Sequence, residues 1–124
     1  MGAAVSRRSL LGLVGLVLAV SAANQWWSVR SEQSAGRELA ALARPGDIRM
    51  LSSETCGFCT AARLWMQRND VPFSECFIER DAACAKAFAA TGAPGTPVVL
   101  VRGEAQLGFD AARVQRRLAA TAPG

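Results

Sequence analysis

The sequence predicts an α/β domain: a four-stranded mixed sheet flanked by helices, in the order β-α-β-α-β-β-α, behind an N-terminal transmembrane or signal segment. Three observations predict it. Short runs rich in valine and other apolar residues alternate with helical patterns, which argues for a parallel element covered on both faces. A tight Arg102-Gly103 turn joins the last two strand-like runs and makes them antiparallel. An unbroken apolar run, "LLGLVGLVLAVSAA" at 10–23, stands apart from this pattern at the N-terminus.

That run follows Arg7 and Arg8. A basic start, an apolar stretch and then small residues is the layout of a secretory signal. Residues 1–29 also read as a membrane anchor, the reading preferred here. At about 1.5 Å per residue, 9–27 approaches a hydrocarbon core of roughly 30 Å. Trp26 and Trp27 then fall at the far interface, where amphipathic rings settle. In either case the arginines stay cytoplasmic and the rest of the chain crosses. In a bacterial cell that places the domain on the outer face of the inner membrane, or in the periplasm if the segment is cleaved.

Residues 30–45 read as a tether ending in a short helix, with Leu39 and Leu42 on one stripe and "RPG" as its stop. The domain is expected over 46–122. Its first strand is 47–53, where Ile48, Met50 and Leu51 are apolar. Thr55 fits an N-cap for a helix over 57–69, and Asp70 and Pro72 end it. "PFSECFI" is a second strand. Asp81 caps a second helix that Gly92 closes. "TPVVLV" at 96–101 is the third strand, and its proline suits only a strand's first position. "EAQLGF" is the fourth. Asp110 caps the last helix, with Ala111, Val114 and Leu118 on one face and Arg113, Arg116 and Arg117 directed outward to solvent.

Composition excludes several classes of function. Residues 1–45 hold five arginines and two acids, whereas 46–124 hold nine basic and eight acidic residues. The basic surplus sits on the anchor and tether, so the domain has no phosphate-neutralising face and no nucleic-acid role is expected. The chain has no histidine. That removes any Ser-His-Asp triad, Cys-His nucleophile or histidine-containing zinc site within it.

The remaining chemistry lies in four cysteines: Cys56, Cys59, Cys76 and Cys84. A thiol attacks a disulfide only as thiolate. A helix start offers unpaired N–H groups and the positive end of the dipole, and both stabilise anionic sulfur. Cys56, at the start of the helix, is therefore the expected nucleophile. Cys59, one turn on, can close an intramolecular disulfide and release a bound substrate. Gly57 leaves Cys56 uncrowded, and Phe58 sets an apolar ring beside it.

Four stretches, "CGFC" at 56–59, "VPF" at 71–73, "GTPVVLV" at 95–101 and "GFD" at 108–110, occur in an order and spacing that resemble a glutaredoxin-family domain with the thioredoxin fold. The resemblance covers 47–120 and none of the first 45 residues. It implies a thiol–disulfide oxidoreductase with Cys56 as nucleophile and Cys59 as resolving thiol. It implies that Thr96 and Pro97, joined by a cis bond, sit against Cys56, and that the Thr96 backbone pairs with the substrate chain. It also implies that Gly108 and Asp110 contact glutathione as co-substrate, with no bound organic cofactor and no metal. Ser53 stands where the family often has a basic residue, and Gly108-Phe109 where it has paired glycines. A protein dithiol or disulfide is thus a substrate on the same footing as glutathione.

Cys76 and Cys84 admit more than one reading. They are two small buried residues, a structural disulfide that an exported chain permits, or a second redox pair feeding Cys59. A four-cysteine zinc site is the rival chemistry, although seven residues between Cys76 and Cys84 depart from the usual two to four. The alternative function is accordingly a non-catalytic binding module that uses its thiols as ligands for zinc or a partner protein.

Overall fold

A computed structural model describes residues 4–121; positions 1–3 and the expected domain end at 122 lie outside the described residues. Helix α1 (Arg7–Leu42) is followed by β1 (Ile48–Ser52), α2 (Gly57–Arg68), β2 (Ser74–Phe77), α3 (Ala82–Thr91), β3 (Val98–Val101), β4 (Glu104–Leu107) and α4 (Ala111–Ala120). The chain divides into two compact units, up to Gln33 and from Ser34 onward.

In the first unit α1 carries an 18-residue window of mean hydropathy 1.5, none of it buried, which is long and apolar enough to cross a membrane. Of the tether and short helix expected over 30–45, the helical end is present, but the tether is helical too, and both continue α1 to Leu42. The reason is local. Between Asn24 and Leu42 there is no proline, and Glu32, Gln33, Ala35, Arg37, Glu38 and Ala40 are strong helix formers. Ser28 and Ser31 donate their hydroxyls back to Asn24 O and Trp27 O (3.0 and 2.8 Å), so they do not compete with the helix. The second unit takes in the last turns of α1, where Gly36 and Leu39 are buried.

The sheet order is β2-β1-β3-β4, with β1 and β2 parallel and both other pairs antiparallel. Successive side chains alternate between the faces. Ile48, Met50, Val99 and Val101 point to one face, where they pack with Leu39 and Ala43, with Ala62 and Met66 of α2, and with Val114 and Leu118 of α4. Leu51 and Val98 point to the other and meet Cys84, Ala87 and Phe88 of α3. Two of the helix boundaries follow the sequence signals closely. The Asp81 side chain accepts from Ala83 N and Cys84 N, and Gly92 ends α3 in the left-handed conformation (φ +67°).

The strands are shorter than the sequence suggests: Asp47, Ser53, Pro72, Phe73, Ile78, Thr96, Pro97, Gly108 and Phe109 lie outside the ladders. The arginines of α4 also differ from expectation. Arg116 is exposed, but Arg113 donates to the carbonyls of Leu107 and Gly108 and Arg117 pairs with Glu104. Unsatisfied carbonyls at the end of β4 and a carboxylate across the turn draw these two inward.

Candidate active site

The N-cap of α2 is Cys56, not Thr55. Thr55 lies in a turn whose last residue, Cys56, donates its N–H to Ser53 O (3.3 Å). Cys56 is extended (φ −97°, ψ 106°), as an N-cap must be, and its Sγ accepts from Cys59 N at 3.0 Å. A sulfur in the capping position receives what a serine or aspartate oxygen receives elsewhere.

Cys56 and Cys59 are joined in a disulfide with their Cα atoms 5.2 Å apart. Cys59 is fully buried and Cys56 half-buried, while Phe58 stands 81% exposed. Only one of the two sulfurs is therefore open to a macromolecular partner. Cys76 and Cys84 form a second disulfide with a Cα separation of 6.0 Å, so all four cysteines are paired. It ties edge strand β2 to α3, and an Arg49 nitrogen lies 3.5 Å from Cys76 Sγ.

The remaining sequence-predicted residues gather at the same end of the sheet. Leu51 pairs with Val98, so Thr96 and Pro97 leave β3 at the edge where β1 runs into the Cys56 turn. Their peptide bond is cis. Gly108, at φ +75°, donates its N–H to Pro97 O (2.8 Å). Asp110 caps α4 by accepting from Arg113 N at 3.0 Å. Its carboxylate thus already has a structural partner.

Two polar clusters beside the cysteines escaped sequence reasoning. In the first, Arg63, one turn beyond Cys59 on α2, grips Glu75 of β2 with two bonds (2.6 and 2.9 Å), and the buried Ser52 donates to the same carboxylate (2.6 Å). Burial pushes the Glu75 carboxyl up, but the Arg63 and Ser52 bonds and the Arg63 charge outweigh it, and the group is held below its ordinary value. In the second, the Glu79 carboxylate accepts from the Ser53 hydroxyl and from Glu54 N (3.1 Å), while Arg80 pairs with Glu54. The Ser53 bond, foremost, holds the Glu79 carboxyl below its ordinary value. The Phe77 ring joins the two clusters, with the guanidiniums of Arg63 and Arg80 at 5.5 and 4.8 Å from its centroid. The hydrogen bonds and ion pairs of the two clusters link residues 12 to 26 positions apart, and no short motif encodes them.

A parallel–antiparallel sheet with helices on both faces, and a two-cysteine turn opening the helix after its first strand, define a thioredoxin-fold domain. Comparison with known proteins narrows this. Residues 48–105 match the family model described as Glutaredoxin. Among solved structures, the crystal structure of a mutant of the thioredoxin-like protein BC3987 is similar, with 24% identity and a TM-score of 0.52 over 60% of this chain and 96% of that one. No curated protein sequence matches. The chain thus carries a thioredoxin-fold domain, and its residues 48–105 match the glutaredoxin family. Such a domain suggests thiol–disulfide oxidoreductase chemistry, and the Cys56–Cys59 pair fits it. The matched span contains Cys56, Cys59, Thr96 and Pro97 and stops short of Gly108 and Asp110.

Proposed function

We propose that the protein is a membrane-anchored thiol–disulfide oxidoreductase. It works by exchange through a mixed disulfide on Cys56 that Cys59 resolves, on protein or glutathione disulfides. The observation that carries this reading is Cys56 Sγ at the N-cap of α2, 3.0 Å from Cys59 N and bonded to the buried Cys59 sulfur. An N–H aimed at the sulfur, with the helix dipole behind it, favours the thiolate over the thiol.

In the reducing direction the Cys56 thiolate attacks one sulfur of the substrate disulfide. A bond forms between the two sulfurs, and the other substrate sulfur departs as a thiolate that takes a proton from water. The Cys59 thiolate then attacks Cys56 Sγ, the internal disulfide closes, and the second substrate sulfur leaves. The substrate gains the two electrons that the cysteine pair gives up, and oxidation runs the same steps backwards. Phe58, exposed beside Cys56, gives a substrate chain apolar contact, and the Thr96–Pro97 segment lines the same end of the sheet.

The long apolar helix supports anchoring, with Arg7 and Arg8 in its first turn on the cytoplasmic side and the domain on the outer face of a bacterial inner membrane. Two disulfides in one small domain accord with an oxidising compartment. The test uses single variants. Cys56→Ser is expected to abolish exchange, and Cys59→Ser to accumulate a mixed disulfide visible by non-reducing electrophoresis. Exchange that persists in Cys56→Ser removes Cys56 from the nucleophile role.

A further inference from the structure

The turn that presents Cys56 is held from outside. Ser53 and Glu54 lie beyond the end of β1, and besides the 3.4 Å contacts of the Ser53 hydroxyl with Thr55 inside the turn, each is fastened to the segment after β2. Ile78 N donates to Ser52 O (3.0 Å), extending the sheet by one bond beyond β1. One carboxylate, Glu79, then takes both the Ser53 hydroxyl and the Glu54 N–H, and Arg80 takes the Glu54 side chain. Ser53 in turn accepts the N–H of Cys56 on its carbonyl. A rigid path thus runs from Glu79 through Ser53 to the backbone nitrogen of the candidate nucleophile.

Glu79 and Arg80 are exposed loop residues, and an exposed carboxylate normally loses such contacts to water. Here the loop is closed. Residues 77–83 lie inside the ring that the Cys76–Cys84 disulfide makes, with a sequence separation of 8. Within it Arg80 N and Asp81 N both bond to Phe77 O (3.1 Å each), and Asp81 caps α3. The guanidiniums of both Arg80 and Arg63 lie over the Phe77 ring. The cross-link removes much of the freedom that Glu79 would lose on docking.

We infer that Glu79 is a positioning residue for Cys56, and that the Cys76–Cys84 disulfide is the brace that keeps Glu79 in reach of the Ser53–Cys56 turn. The second disulfide then serves the active site through geometry, without exchanging electrons with it. This rests on Cys56 being the nucleophile proposed above. When the brace is cut or the Ser53 contact removed, the turn relaxes, and Cys56 Sγ drifts from the N–H groups at the start of α2. A helix N-terminus favours an anion by about 0.3–1 kcal/mol, so the thiolate fraction falls by about two- to fivefold at a fixed pH below the midpoint. The Cys56 titration midpoint moves up by roughly 0.2–0.7 pH unit.

The experiment measures the rate of Cys56 alkylation by iodoacetamide against pH. It uses the full chain in detergent, with Cys56–Cys59 reduced and the modified residue identified by mass spectrometry. Ser53→Ala removes the hydroxyl's bond to Glu79, together with its 3.4 Å contacts to Thr55 N and Oγ1, and leaves every charge in place. The double variant Cys76→Ser/Cys84→Ser removes the brace and also leaves the charges. Both are expected to raise the midpoint. A midpoint equal to that of the unaltered protein in Ser53→Ala overturns the inference, whether or not the double variant folds. A double variant that is folded, less stable and unshifted in midpoint overturns the bracing role. Failure of the underlying reading looks different: Cys56 of the unaltered protein is then unreactive at every pH, or Cys56→Ser keeps its exchange activity.

Discussion

Replacing Arg63 by methionine tests whether the buried ion pair holds α2, and with it Cys59, against the sheet. Methionine keeps the unbranched stem and the helix propensity but removes the guanidinium. Glu75 then keeps only the Ser52 hydroxyl (2.6 Å) and loses bonds of 2.6 and 2.9 Å. Its side chain is 11% exposed and that of Arg63 26%, so the carboxylate cannot turn to water without local opening, while the arginine already meets some. Breaking a fully buried pair costs about 3–5 kcal/mol, and charged hydrogen bonds contribute about 1.5–3. With the partial exposure of Arg63 discounted, the loss at pH 7 is about 2–3 kcal/mol. At roughly 4–8 °C per kcal/mol for a domain of this size, Tm falls by about 10–20 °C.

The pH dependence gives a second and sharper readout. In the unaltered protein the folded Glu75 lies below the ordinary 4.5. Its contribution is present above that value and fades as pH falls through the lower folded value. In Arg63→Met burial acts with only Ser52 against it, so the carboxyl rises above the ordinary value. Its contribution is then complete below 4.5 and is lost as pH climbs through the raised value. The stability gap between the two proteins is thus wide at pH 7 and narrow at pH 3. Urea unfolding of the detergent-solubilised chain at both pH values, followed by circular dichroism, measures it. A loss below about 0.5 kcal/mol at pH 7, as for a surface pair, or an equal gap at both pH values, refutes the reasoning.

Two further outcomes are expected. A Cβ added at the buried Gly36 would overlap the Asn69 side chain, reaching 2.9 Å from its Cβ, so Gly36→Ala is expected to cost about 1–3 kcal/mol. An unchanged unfolding midpoint in that variant means that the last turns of α1 do not dock against the end of α2. For orientation, a C-terminal alkaline phosphatase fusion is expected to be active and a C-terminal green fluorescent protein fusion dark; the reverse pattern places the domain in the cytoplasm.

Much of the fold was legible because its signals are local. Asp81, Gly92 and Asp110 each determine a helix end through one side chain or one φ, and each stands where the sequence puts it. Cys56 and Cys59 were legible as a pair because three residues make one helical turn. The N-cap was displaced from Thr55 to Cys56 because sulfur took the capping role, which oxygen side chains usually fill. Over 30–45 the sequence showed only a short helix at the end of a tether, because Leu39 and Leu42 are its only apolar stripe. Their helix is stabilised by burial of Gly36 and Leu39, a tertiary effect. The Arg63–Glu75 and Glu79–Ser53 contacts were illegible for the same reason. Each joins a residue of the Cys56 loop or of α2 to one of β2 or the loop after it, and the pairing exists only once β1 and β2 lie in register.

Both outermost strands, β2 and β4, are only four residues long. A flank of that length presents few unpaired amides and carbonyls for a neighbouring molecule to zip onto. Glu104, ion-paired with Arg117, keeps charge at one end of β4. Under the anchoring proposed above, copies are confined to a bilayer plane and collide far more often than copies diluted in bulk water. For such a crowd, stubby borders on the sheet are a safeguard against strand-to-strand aggregation.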